Sequence, residues 1–109
     1  MQSAAVVEDK IFQALADPSR RAIFESLMRG EAAVKHLTAR FDVSQPAVSQ
    51  HLATLKAAGL VKCQRHGRCV HYRVNPRGMK PLIDWIAHYR AFWTVHVERL
   101  EKLLEKMDE

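Results

Sequence analysis

The chain has 109 residues, a hydrophobic content of 48% and a formal net charge of +5. This length suits one domain with a small core, and the apolar fraction excludes a disordered chain. Because no apolar run approaches a membrane span and no secretory signal is recognisable, we expect a cytoplasmic protein without a membrane segment. Two cysteines, Cys63 and Cys69, are too few for a disulfide framework and lack zinc-finger spacing.

Positive charge is concentrated in the middle of the chain. Residues 18–80 contain twelve lysines and arginines but only three acids, and residues 43–80 contain no acid. The two ends are mildly acidic. A basic middle between acidic ends indicates a body that binds a polyanion, with solvated surface charge as the alternative.

Three helices are predicted before residue 42. The first spans residues 8–16 and the second residues 18–28, because Pro18 breaks the helix and either Asp17 or Ser19 can cap the next one. The third spans residues 32–40. Apolar residues at helical spacing predict the inward faces: Ile11, Phe12, Leu15 and Ala16, then Ile23, Phe24, Leu27 and Met28, then Val34, Leu37 and Phe41.

A fourth helix is predicted over residues 45–58, with Ser44 as its cap and Gly59 as its end. Its buried stripe recurs at i, i+4 and i+7: Val48, Leu52 and Leu55. Off this stripe lie side chains that can read base edges in a major groove: Gln45, Ser49, Gln50 and Lys56. With the third helix, this segment forms a helix-turn-helix whose second helix enters the groove.

Two strands over residues 60–74 are predicted to form a hairpin. A loop at residues 66–67 would pair Cys63 with Val70 and place Cys63 inward, whereas Cys69 would face outward. A hairpin in this place is the wing of a winged helix. Its basic tip suits phosphates or a narrow minor groove: Arg65, His66 and Arg68.

One long helix is predicted over residues 79–107. Its apolar stripe is larger than one small domain can cover, which favours pairing with the same helix of a second copy. Packing on its own domain alone is the alternative. The expected interface residues on this helix are Trp85, Ile86, Tyr89, Trp93, His96, Leu100 and Leu103.

Taken together, these motifs resemble the ArsR-type winged-helix repressors over nearly the whole chain. The motifs are LADPSRRAI at residues 15–23, Leu37, SQPAVSQHL at residues 44–52, LKAAGLV at residues 55–61, RHGR at residues 65–68 and YRV at residues 72–74. The runs at residues 81–85 and 89–93 look like a branch of that family without the metal-sensing signature.

The resemblance implies a homodimer built on the first and last helices, which adds Phe12 and Leu15 to the interface. It also implies an inverted-repeat operator, often the protein's own. By position, Arg20 and Arg21 match a pair with structural and DNA-backbone roles, and a salt bridge in the core is the alternative for Arg21. With His51 added by position, the expected DNA contacts are Ser44, Gln45, Ser49, Gln50, His51, Lys56, Arg65, His66 and Arg68.

No metal site or cofactor is expected. ArsR-type sensors carry paired cysteines where this chain has Ala33 and Lys35, and the candidates on the last helix depart from the family spacing: Asp84, His88, His96 and Glu98. Cys69, near the basic wing tip, is a possible redox residue, with an incidental surface thiol as the alternative. Without a phosphate loop or a nucleophile motif, the sequence does not indicate an enzyme.

The sequence therefore predicts a single winged helix-turn-helix domain over residues 1–109, mainly α, in the order α-α-α-α-β-β-α. The predicted function is that of a sequence-specific regulator of transcription, a homodimeric repressor that binds double-stranded DNA. A thiol- or metal-responsive repressor of the same fold and a winged-helix protein-interaction module are the alternatives.

Overall fold

A computed structural model describes residues 4–108 and contains, within that range, five helices and a three-stranded antiparallel sheet. The elements are α1 (Ala4–Ala16), α2 (Pro18–Met28), β1 (Ala32–Ala33), α3 (Val34–Arg40), α4 (Gln45–Ala57), β2 (Val61–His66), β3 (Cys69–Val74) and α5 (Lys80–Met107). The predicted fold class is confirmed, with α1 beginning four residues earlier than expected and β1 as an additional element. No helix of the described range is long and apolar enough to span a membrane.

The junction of α1 and α2 is built by polar side chains. Asp17 caps α2 by accepting from the Arg20 backbone N–H at 2.9 Å. The Arg20 side chain turns back and donates to the Ala14 carbonyl at 2.5 Å, and the Arg21 guanidinium donates to the Leu15 carbonyl at 2.9 Å. These two arginines satisfy carbonyls that the end of α1 leaves free. Arg21 is exposed and makes no salt bridge within residues 4–108, so the core salt bridge considered for it is not found there.

The prediction of helix at residues 32–33 was wrong, because these residues form β1. Ala32 lies opposite Tyr72 and Ala33 opposite His71 in an antiparallel pairing with β3. Both alanines are buried, so their small side chains let the strand pack tightly under the wing. The pairing with a distant strand overrides the helical preference of alanine.

The hydrophobic core lies between α1, α2, α3, α4 and the base of the wing. The predicted stripe of α4 is confirmed, since its three side chains are fully buried. On α1, Ala14 rather than Phe12 is inward, and Met28 on α2 is also exposed, which corrects the faces expected there. The core residues are Ile11, Ala14, Ile23, Phe24, Leu27, Ala32, Leu37, Val48, Leu52, Leu55, Leu60 and Val61.

The hairpin loop lies one residue later in the chain than predicted, so the two strands pair in a different register. Residues 67 and 68 form the loop, His66 lies opposite Cys69, and Cys63 lies opposite Tyr72. Among the described residues positive φ occurs only at glycines, and Gly67 has φ +64°. A glycine with positive φ at the first loop position is the pattern of a type II′ turn. The faces are unchanged, so the two cysteines stay on opposite sides of the hairpin.

The segment that follows the wing is hydrogen-bonded to the residues that follow α4. Gly59 ends that helix with φ +82°, and its carbonyl accepts from the Asn75 amide at 3.0 Å. The Asn75 backbone N–H donates to the Leu60 carbonyl at 2.9 Å. These contacts fix where α5 begins relative to α4.

The last helix extends away from its own domain. Its 28 residues span about 42 Å at 1.5 Å per residue. Near its start, Leu82 packs against the core and Trp85 contacts Phe12 of α1 with ring centroids 5.2 Å apart. From Ile86 to Asp108 every residue is exposed. More than two thirds of α5 is therefore exposed within the protomer.

Candidate nucleic-acid interface

The start of α4 is held in place by the residues that connect it to α3. The Ser44 hydroxyl accepts from the Ala47 backbone N–H at 3.3 Å, which confirms the predicted cap. With Val48, Leu52 and Leu55 fully buried, the helix can rotate little about its axis. The opposite side of α4 is therefore held outward as a fixed surface.

A shallow groove runs between the start of α3, the first turns of α4 and β3. Gln45 and Ser49 from α4, Arg68 from the wing and Lys35 from α3 line it. The structure thus brings together side chains expected to read bases with one expected to bind phosphate. Lys35 was missed as a member of this surface, because the pairing of β1 with β3 that brings α3 to the wing is not visible in the local sequence.

Gln50 lies on the part of α4 that points farthest from the core. At 100° per residue it is 200° from the buried Val48, and its side chain is exposed. A flexible amide in this place can donate and accept at a base edge without a competing partner on the protein.

Lys56, in the last turn of α4, contacts the wing. Its ammonium nitrogen donates to the Cys63 sulfur at 3.2 Å, and this contact raises the pKa of Lys56. Cys63 lies across the hairpin from Tyr72, whose pKa is raised chiefly by burial. The sequence did not predict this link, which joins the two elements expected to contact DNA.

His51 stands apart from the other expected base readers. It is half-buried and lies 200° around α4 from Ser49, and its Nδ1 atom is buried without a hydrogen-bond partner. The pKa of Asp17 is lowered mainly by the Arg20 backbone N–H and to a lesser extent by His51. His51 therefore lies toward the start of α2, which favours a packing role over base reading.

The wing tip is exposed and basic. Arg65, His66 and Arg68 are all exposed, and the ring of His66 lies 4.9 Å from that of His71. Within residues 4–108 the one salt bridge joins Lys80 to Asp84 at 2.7 Å, on α5. The cations of α4 and the wing therefore have no carboxylate partner in this range and are available to phosphates.

The residues considered for metal or redox chemistry are dispersed. No group of three or more His, Cys, Asp or Glu side chains in the described part of the chain could hold a metal ion. Asp84 pairs with Lys80, and the His96 ring packs on Phe92 with centroids 4.1 Å apart. Both cysteines are free and half-buried, so they are similarly accessible although they lie on opposite faces of the hairpin.

The expected dimer face is exposed over most of its length. Leu15 is an exception, since it packs half-buried against the core, and Trp85 is half-buried on Phe12. The exposed members expected in advance are Phe12, Ile86, Tyr89, Trp93, His96, Leu100 and Leu103. Phe92, Val97, Leu104 and Met107 extend the same apolar surface.

Comparison with known proteins places this geometry among bacterial regulators. The family model described as "Bacterial regulatory protein, arsR family" matches residues 17–62. The transcriptional repressor SdpR of Bacillus subtilis is 30% identical over 81 residues, which cover 74% of this chain and 90% of that protein. The HTH-type transcriptional regulator Rv2034 of Mycobacterium tuberculosis is 47% identical over 86 residues, which cover 79% of this chain and 78% of that protein. A crystal structure of an ArsR family transcriptional regulator superposes with a TM-score of 0.72 and 31% identity, covering 86% of this chain and 97% of the other.

Proposed function

Because the chain belongs to the ArsR family of bacterial regulatory proteins and is a DNA-binding transcriptional repressor, we propose that it acts as a homodimer on an inverted-repeat operator. The observation that carries this proposal is the uncovered apolar face of α5. We also place the protein in the cytoplasm, where its DNA is accessible.

The pattern along α5 supports pairing with a second copy. Ile86, Trp93 and Leu100 recur at intervals of seven residues, and Tyr89, His96 and Leu103 follow the same interval three residues later. This heptad spacing forms a continuous seam against a facing helix. All six side chains are exposed within the protomer. An apolar patch of this extent is unusual on a monomer and marks an interaction surface.

The first helix supports the same arrangement. Phe12 is 39% exposed although it contacts Trp85 through its ring edge. The aromatic pair therefore joins α1 to α5 and extends the apolar seam onto the body of the domain. Two-fold pairing through this surface would relate the two copies of α4 by the symmetry that an inverted repeat has.

On DNA, each α4 would enter a major groove, with the two half-sites about one helical turn apart. Gln45, Ser49 and Gln50 would read base edges, because their amide and hydroxyl groups match the donors and acceptors displayed there. Lys56, Arg65 and Arg68 would contact phosphates, which gives attraction without sequence information. Lys35 joins this second group by its place in the groove.

The experiment that tests the proposal selects binding sites from a library of randomised duplexes with the purified full-length chain. We expect enrichment of an inverted repeat with half-sites about ten base pairs apart. Fluorescence anisotropy on the selected duplex should give two protomers per site and weaker binding to a scrambled duplex. Enrichment of a single half-site, one protomer per duplex, or equal affinity for both duplexes would overturn it.

A further inference from the structure

The α4–α5 joint consists of Gly59, Asn75 and Gly78, which connect the end of the recognition helix to the start of α5. The Asn75 side-chain amide donates to the Gly59 carbonyl at 3.0 Å. The Asn75 backbone donates to the Leu60 carbonyl at 2.9 Å and accepts from the Met79 N–H at 3.2 Å. Asn75 is therefore bonded both to the turn that follows α4 and to the residue that caps α5.

Gly78 makes room for the side-chain hydrogen bond of the joint. A Cβ atom built on Gly78 would overlap the Gly59 carbonyl and would lie 2.9 Å from the Asn75 amide nitrogen. These are the two groups that the hydrogen bond connects. The joint therefore closes fully only when position 78 carries no side chain.

The remaining contacts of α5 with its own domain are apolar and lie near its start. Leu82 packs against the core and Trp85 contacts Phe12, whereas every residue from Ile86 to Asp108 is exposed. Apolar packing is not directional, so it holds α5 near the domain without closely defining its angle. A hydrogen bond weakens steeply when its donor and acceptor are misaligned. The side-chain bond of the joint is therefore the contact that most restricts the angle between α4 and α5.

Stability alone does not account for an asparagine at position 75. The Asn75 Oδ1 atom is buried and has no hydrogen-bond partner among residues 4–108. A buried acceptor without a donor costs free energy, which offsets part of what the bond from the amide nitrogen contributes. The orientation of α5 gives this side chain a role that its contribution to stability does not.

A small rotation at the joint has a large effect at the far end of α4. The 13 residues of α4 span about 20 Å, and the joint follows its last turn. The side chains expected to read bases, Gln45, Ser49 and Gln50, lie in its first half. With the two α5 helices paired, a rotation of about 10° about the joint moves Gln45 by about 3.4 Å, which is one base-pair step.

We propose that Asn75 is a positioning residue that sets the half-site spacing of the operator. Its bond to Gly59 fixes the angle of each α4 to the paired α5 helices, and thereby the distance between the two recognition helices. Asn75 acts through the joint and not through a contact with DNA. The inference rests on the proposed function, because spacing has a meaning only for a dimer on two half-sites.

The test measures binding to duplexes that differ only in the spacing of their half-sites. Full-length wild type and Asn75→Ala are titrated by fluorescence anisotropy on the selected operator, on operators with one or two base pairs added or removed between the half-sites, and on a single half-site. The wild type should bind the selected spacing about 100-fold more tightly than the altered ones, because a wrong spacing prevents both protomers from engaging at once.

Asn75→Ala should reduce this ratio to about tenfold or less, because a loosened joint lets both protomers engage at several spacings. It should bind the altered spacings more tightly than the wild type does, which a general loss of stability cannot produce. Its affinity for the single half-site should stay unchanged. Gly78→Ala, which separates the same two groups without altering Asn75, should broaden the spacing preference in the same way.

Ile23→Val is the control for a general loss of stability, because it removes a buried methyl group from α2 and leaves the joint intact. It should lower the melting temperature without changing the ratio between spacings. Wild-type ratios in Asn75→Ala and Gly78→Ala would overturn the inference, and so would a parallel loss on every duplex, the single half-site included. A wild type that binds the single half-site as tightly as the operator would instead overturn the proposed function.

Discussion

Gly78 lies directly against the backbone of Gly59. A Cβ atom built on Gly78 would be 1.5 Å from the Gly59 carbonyl oxygen, which is too close for any side chain. The same carbonyl accepts the hydrogen bond from Asn75. The two glycines thus let the segment before α5 pack on the end of the recognition helix.

We expect Gly78→Ala to destabilise the protein by roughly 1–3 kcal/mol, because the backbone at Gly59 must shift to admit the methyl group. Urea denaturation followed by circular dichroism measures the change. Gly30→Ala is the matched control, since a Cβ there meets nothing within 4 Å. A Gly78→Ala protein as stable as Gly30→Ala would show that the two backbones do not touch.

Gln50→Ala should reduce discrimination between the selected operator and a random duplex by roughly 1–3 kcal/mol, because a base contact is lost. Binding to random DNA should change little, since phosphate contacts remain. Competition anisotropy measures both affinities, with Gln13→Ala on α1 as the control. An equal loss on both duplexes would exclude Gln50 as a base reader.

Lys56→Gln should weaken binding to the operator and to random DNA by a similar factor. The salt slope of log K should fall by about 0.9 per protomer, because one phosphate contact is lost. Lys102→Gln removes the same charge from the exposed part of α5, away from the proposed DNA-binding surface. This variant should leave the salt slope unchanged. Identical slopes for both variants would remove Lys56 from the phosphate contacts.

Leu100→Glu should convert the protein to a monomer, because a carboxylate in the seam of α5 would lose water without gaining a partner. Val95→Glu is the matched control, since Val95 is similarly exposed but lies about 140° away around the helix. Light scattering after size-exclusion chromatography gives the mass. Dimers of Leu100→Glu, or monomers of Val95→Glu, would place the interface elsewhere.

Asp17 should contribute to the loss of stability in acid. Its pKa is lowered from 3.8, first by the Arg20 backbone hydrogen bond, so the folded state favours the carboxylate. This stabilisation is fully present above the unfolded pKa and disappears as the pH falls through the lower folded value. Asp17→Asn keeps a capping oxygen but cannot titrate. Its melting temperature should therefore fall less steeply on acidification than that of the wild type, and parallel curves would exclude the effect.

The recognition helix was predictable because its signals are local. Ser44, the stripe from Val48 to Leu55 and Gly59 each act within a few residues of the chain, and the structure has the helix within one residue of the expected end. The fold class followed from the order of such elements. The resemblance to known regulators rested on the same local motifs.

The parts that could not be predicted depend on distant contacts. Ala32 and Ala33 read as helix on their own, and only pairing with β3 makes them a strand. The hairpin register depends on Gly67, the one loop residue with positive φ. The alternation of polar and apolar residues does not specify this register. The contact of Lys56 with Cys63 joins two elements whose relative orientation the sequence pattern leaves open.

The exposed length of α5 also links folding to protein concentration. From Ile86 to Asp108 every residue of this helix is exposed in its own protomer, and a stable helix in water needs packing on an apolar face. If a second copy supplies that packing, dilution removes it by mass action and lowers the apparent stability of the chain. A cell that makes few copies would then hold partly unfolded protomers, so the abundance of the repressor would itself set the fraction able to bind an operator.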